Sequence, residues 1–130
     1  MKSEEMLALA TRCERASGPD DAIDLAIAEL GYHSGGLFGV NYDPRLWVER
    51  YCWEPTASID SAMVLVDARA LWAHGSMEEG PFARLCWPMP DGSYLNGYHE
   101  ARAATVPLSI CAAALRARAQ SPEQLKGEGR

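Results

Sequence analysis

The residues best equipped for chemistry are three histidines, His33, His74 and His99, and four cysteines, Cys13, Cys52, Cys86 and Cys111. His74 and His99 fall on separate expected strands and Cys86 on a third, and three or four such ligands can hold zinc. Yet no two of them show the close spacing that sets ligands side by side, and there is no C-x-x-C pair. They are read as rim histidines and reduced thiols, and no metal or other cofactor is expected.

Other candidates weaken in the same way. The S-G-G-L-F-G run at 34–39 has neither the Lys-Ser/Thr of a phosphate loop nor the G-x-G-x-x-G spacing, so it is read as a turn. Ser58 and Asp60 place a hydroxyl near a carboxylate, but nucleophilic catalysis also needs a base and a group to orient it. A capped helix accounts for both residues. Glu78-Glu79 is read as a solvated turn rather than an acid/base pair. No catalytic residue is assigned, and the reading leans away from an enzyme.

The aromatics carry more signal. Trp47, Tyr51, Trp53, Trp72, Trp87, Tyr94 and Tyr98 all fall on expected strands or their ends. Tryptophan and tyrosine concentrate at binding hot spots, but they also fill small sheets. Because strand residues are half-buried by default, core packing is the preferred reading.

The elements that would position these groups follow from periodicity. Ser3 can cap a first helix ending near Ala16, with Met6, Leu9, Ala10 and Cys13 on one face. Ser17-Gly18-Pro19 separates it from a second helix. Asp20, Asp21 and Asp24 crowd that helix's positive N-terminal end, Ile23, Ala26, Ile27 and Leu30 form its buried face, and Gly31 closes it. Residues 37–42 are read as a short strand or an irregular arm. Trp47, Glu49, Tyr51 and Trp53 alternate with Val48, Arg50 and Cys52, which predicts a strand. Ser58 caps a short helix to about Leu65. Three strands at hairpin spacing follow, at 71–76, 82–87 and 94–99, forming an antiparallel meander.

The last helix, 105–120, is capped by Thr105, carries Pro107 in its first turn, and stops at Ser121-Pro122. Leu108, Cys111, Ala112, Leu115 and Ala119 make one apolar stripe, and Ile110, Ala113, Ala114 and Ala117 a smaller one opposite. A helix apolar on both sides is buried on both. The sheet is expected on the Leu face and the first helix hairpin on the Ala face. The fold class is therefore α+β: a small antiparallel sheet of three to five strands with helices packed on both faces. One domain is expected over 1–120, with a polar tail at 121–130.

Composition narrows the function classes. The chain has 130 residues and a net charge of −6. Residues 1–30 hold seven acids and three bases, 31–100 nine and four, and 101–130 two and five. This balance argues against direct nucleic-acid binding, which needs a basic footprint. No apolar run reaches the roughly 18–20 residues that span a bilayer. The M-K-S-E-E-M opening lacks the pattern of a secretory signal, so a cytoplasmic location is expected.

Three segments resemble a known family. L-A-T-R-C-E-R-A-S-G-P-D-D-A-I-D-L-A-I-A at 9–28, P-T-A-S-I-D-S-A-M-V-L-V at 55–66 and A-A-T-V-P-L-S-I-C-A-A-A-L-R-A-R at 103–118 are similar, in order, to patterns of the phage ABA sandwich domain family. They cover about half the chain. The resemblance implies an α-β-α sandwich and a phage or prophage gene in a bacterial cytoplasm. It carries over no catalytic or cofactor residues.

The leading functional expectation is a non-enzymatic protein that binds or occludes a host or phage protein, such as a defence complex, in the manner of an anti-CRISPR inhibitor. The expected partner-binding residues are Asp20, Asp21, Asp24, Trp47, Glu49, Tyr51, Trp53, Glu78 and Glu79, whose acids suit a basic partner surface. Two alternatives stand beside it. One is a small-ligand or nucleotide-binding protein, or an enzyme, with a histidine-lined pocket; the other is a minor virion or packaging component. Oligomeric state stays open, a homodimer included.

Overall fold

Thr105 adopts extended backbone and its hydroxyl oxygen accepts from the Leu108 amide at 3.3 Å, opening the longest buried helix of the molecule. The structure, a computed structural model, describes residues 2–33, 43–50, 52–89, 91–94 and 98–120. Its elements run α1 (Lys2–Arg15), α2 (Asp21–His33), α3 (Pro44–Glu49), α4 (Ile59–Met63), β1 (Leu71–Met77), β2 (Gly80–Cys86), β3 (His99–Arg102) and α5 (Val106–Ala119). This is an α+β fold with a three-stranded antiparallel sheet of order β1-β2-β3. The expectations at 34–42, Tyr51 and 121–130 lie outside the described residues.

Helix α5 lies between the sheet and α1 and touches α4 as well. That is the two-sided burial expected of a helix apolar all round, but its faces are used the other way about. Cys111, on the Leu-bearing stripe, sits beside Cys13 of α1. Arg116, about 140° further round the helix at 100° per residue, reaches Glu14 and Thr11 of the same helix. The larger stripe thus faces α1, and Ile110, Ala114 and Ala117 are turned to the sheet. Small residues suit that side, because the sheet offers Ala83, Leu85 and Ala101, and short side chains on both surfaces allow close approach.

Register sorts the sheet into two faces. Ala83 stands opposite His74 and Ala101, and Leu85 opposite Trp72 and His99, on the α5 side. Phe82, Arg84, Glu100 and Arg102 occupy the outer side. There Arg84 donates to Glu100 at 2.8 Å and lies over the rings of Phe82 and Tyr98.

Several boundaries differ from expectation: α1 already runs from Lys2, so Ser3 lies inside it rather than capping it, and α4 ends at Met63. Helix α2 passes through Gly31 to His33, since an interior glycine costs a helix only about 1 kcal/mol. Residues 44–49 form a helix rather than a strand. Asp43 accepts from the Arg45 and Leu46 amides, and Pro44 sits in the first turn where its missing N–H costs nothing. The third strand starts at His99; Tyr94 makes only an isolated bridge to Pro88. Asp91 folds back on Ser93, and Gly92 takes φ 91°, a conformation that favours glycine, so the chain turns before it can pair.

Candidate functional site

A groove of about 480 Å³ opens between α2 and α3, lined by Asp21, Ala22, Leu25, Val48, Glu49, Cys52 and Glu54. Its α2 wall is set by a cap. The Asp20 carboxylate accepts from the Ile23 amide at 3.0 Å, starting the helix so that Asp21, Ala22 and Leu25 lie off the buried Ile23–Ile27 side. Its α3 wall follows from the Asp43 cap, which starts a helix with no fully buried residue, only Trp47 and Val48 packing against the edge of the core. The floor is closed by the return of the chain through Cys52, held at φ 54°, and Glu54.

Thr56 fastens these parts together. Its hydroxyl accepts from the Asp20 amide at 2.9 Å and donates to Asp24 Oδ1 at 2.8 Å, while its own amide donates to the same oxygen at 2.8 Å. Asp24 is 1% exposed. Burial pushes its carboxyl above the ordinary range, the two Thr56 bonds pull it down, and the nearby charges of Asp21 and Glu54 push it up again. The groove's negative field therefore reaches inward as far as this buried acid. Among the described residues no basic one lines the groove. Arg45 pairs with Glu49 at 3.3 Å, but both side chains are well exposed, and such a helical pair contributes only a few tenths of a kcal/mol.

Carboxylates on the rim and Ala22, Leu25 and Val48 between them suit one ligand chemistry. The aliphatic stem of a lysine or arginine can lie on the apolar part while its cation meets the acids.

The structure separates the expected partner-binding residues into three groups. Asp21 and Glu49 share the groove. Asp20, Asp24 and Trp53 are used internally: Asp20 is a cap, Asp24 is clamped by Thr56, and Trp53 is 5% exposed with its ring edge-on to Trp47 at 6.0 Å. Asp24 and Trp53 are thus packing residues and offer no surface to a partner. Glu78 and Glu79 form the β1–β2 turn, a different element, where Glu79 lies 3.9 Å from Arg102.

Sequence reasoning missed Leu25, Val48, Cys52 and Glu54. Leu25 had a legible signal, since it is an apolar residue outside the Ile23–Ile27–Leu30 stripe. Val48 and Cys52 had none once the segment was taken as a strand.

Among the described residues the sheet histidines do not converge. His74 and His99 lie on opposite sides of β2, and Cys86 points to the other face of the sheet. Among the described residues no three His, Cys, Asp or Glu side chains group to hold a metal ion. Ser58 accepts from the Ser61 amide, which is its capping role. Comparison with protein-family models, with curated proteins and with solved structures finds no match for this chain.

Proposed function

We propose that this chain is a non-enzymatic binding protein that docks on a basic surface of a partner protein through the α2–α3 groove. The observation that carries the reading is the groove itself: Asp21, Glu49 and Glu54 around an apolar strip, with no cation among its described lining residues. Patches of one sign attract partners of the other and raise association rates, more so at low salt. A binding surface of this kind acts by occlusion, which suits covering a partner's nucleic-acid-binding face. The sequence resemblance of 9–28, 55–66 and 103–118 to phage ABA sandwich proteins supports a phage or prophage setting, with a host protein as the target.

The test is affinity purification from bacterial lysate with the chain and its Glu49→Lys/Glu54→Lys variant, read by mass spectrometry. A basic protein retained by the first and lost with the second, and weakened by salt, is the expected result. Identical retention by both sinks the groove as the docking site, and an empty wild-type capture counts against a binding protein altogether.

A further inference from the structure

The two edges of the sheet are built differently. The β3 edge is four residues long and carries Glu100 and Arg102. Short length and charge are the devices by which natural sheets keep an edge from pairing with another strand. Strand β1 has none of them. Its seven residues, L-W-A-H-G-S-M, contain no Asp, Glu, Lys, Arg or Pro. They pair with β2 in unbroken register on one side and, among the described residues, with no strand on the other. Leu71 is 55% exposed and Trp72 and Met77 are each 53% exposed.

We infer that β1 is a self-association edge, and that its occupant is a second copy of this chain, paired antiparallel about a two-fold axis at His74. Two observations select this occupant. First, the strand is formally uncharged in a chain of net charge −6. Two copies can meet here without setting like charges face to face, whereas a basic partner finds nothing on β1 to attract it. Second, the strand is complementary to its own reverse. With the axis at His74, Leu71 stands opposite the partner's Met77, so two of the exposed apolar side chains cover each other on the outer face. Ala73 then meets the partner's Gly75, and Trp72 meets the partner's Ser76, so a large residue faces a small one. Trp72 is already stacked on His74 at 4.8 Å and 7°, which holds its ring in place along the strand. Cross-strand pairs of this kind are the unit of sheet stabilisation.

The product is one continuous sheet made from two three-stranded ones, with an α5 helix on the inner face of each half. A single-strand interface falls at or below the small end of stable interfaces, about 600 Å² per partner. The dimer therefore dissociates on dilution.

Sedimentation of the full chain from about 1 μM to about 1 mM tests this. The mass should move from 14.2 kDa toward twice that value as concentration rises. Leu71→Glu/Met77→Glu places like charges opposite each other and should hold the chain monomeric throughout. Leu71→Lys/Met77→Glu, in which each lysine faces a glutamate across the axis, should restore association. Far-UV circular dichroism confirms that each variant is folded. Amide hydrogen exchange of the unmodified chain gives a second reading, with 71–77 protected at high concentration only. A chain monomeric throughout the range overturns the inference, as does a dimer indifferent to the glutamate pair or unrestored by the charge swap. Glu49→Lys/Glu54→Lys, in the groove, should leave the mass unchanged, so this association and the docking proposed above fail or succeed separately.

Discussion

Helices α5 and α3 are opposite uses of the same local structure. Ten of the fourteen residues of α5 are buried and none of the six of α3, so packing holds one and its cap holds the other. Because every side of α5 is engaged, its residues have no freedom to serve a partner. Arg116 is tied to Glu14 and Thr11, and Arg118 donates to the Leu65 carbonyl at 2.6 Å while lying over the Trp87 ring. Helix α3 sets only Trp47 and Val48 against the core, leaves Arg45, Leu46 and Glu49 exposed, and with α2 builds the groove. Stability and the proposed docking thus fall to different parts of the chain.

The sharpest test of that division is Leu115→Ala. It empties a fully buried position on α5 and should cost about 2–5 kcal/mol by urea denaturation. Asp24→Ala comes next. It leaves the Thr56 amide and hydroxyl without their buried acceptor, a loss of about 1–3 kcal/mol, and loosens the link that seats α2 beside the groove. Asp24→Asn is the finer probe, because an amide oxygen can still accept both Thr56 bonds. In the folded protein the Asp24 carboxyl titrates above its ordinary value, chiefly through burial. Its contribution is therefore fully present below the unfolded value and is lost as pH rises through the folded one. Asp24→Asn should gain stability relative to the unmodified chain as pH rises above the ordinary aspartate value of about 4, giving a shallower pH profile. A parallel pair of profiles would show that Asp24 is not the titrating group. The smallest effect belongs to α3. Leu46→Ala and Glu49→Gln should each change stability by no more than about 0.5 kcal/mol, and a loss of several times that would break the comparison.

Much of the scaffold was legible in local chemistry. Ser58 and Thr105 were expected as caps and are caps, and the Ser17-Gly18-Pro19 break separates α1 from α2. The β1–β2 hairpin stands where its turn residues put it, with Gly80 at φ 111° after Glu78-Glu79. The middle was less legible because two signals competed there. Alternation over Trp47–Trp53 argued for a strand and hid the Asp43 cap, yet a capped first turn satisfies amides that a lone strand would leave unpaired. Of the candidate site, Asp21 and Glu49 were found because exposed acids are visible as letters. Asp24 was misplaced because its partner, Thr56, is thirty-two residues away.

The sequence by itself determined the α+β class, the caps at Ser58 and Thr105, the double burial of α5 and the uneven charge, since each depends on neighbours within a turn or two. It also determined that β1 carries no charge. Only the tertiary structure decided which stripe of α5 meets α1, that Thr56 reaches back to α2, and that Asp21, Glu49 and Glu54 border one groove. Those facts depend on contacts between distant segments, which are set by how side-chain volumes fit when the layers close, and periodicity carries no record of that fit.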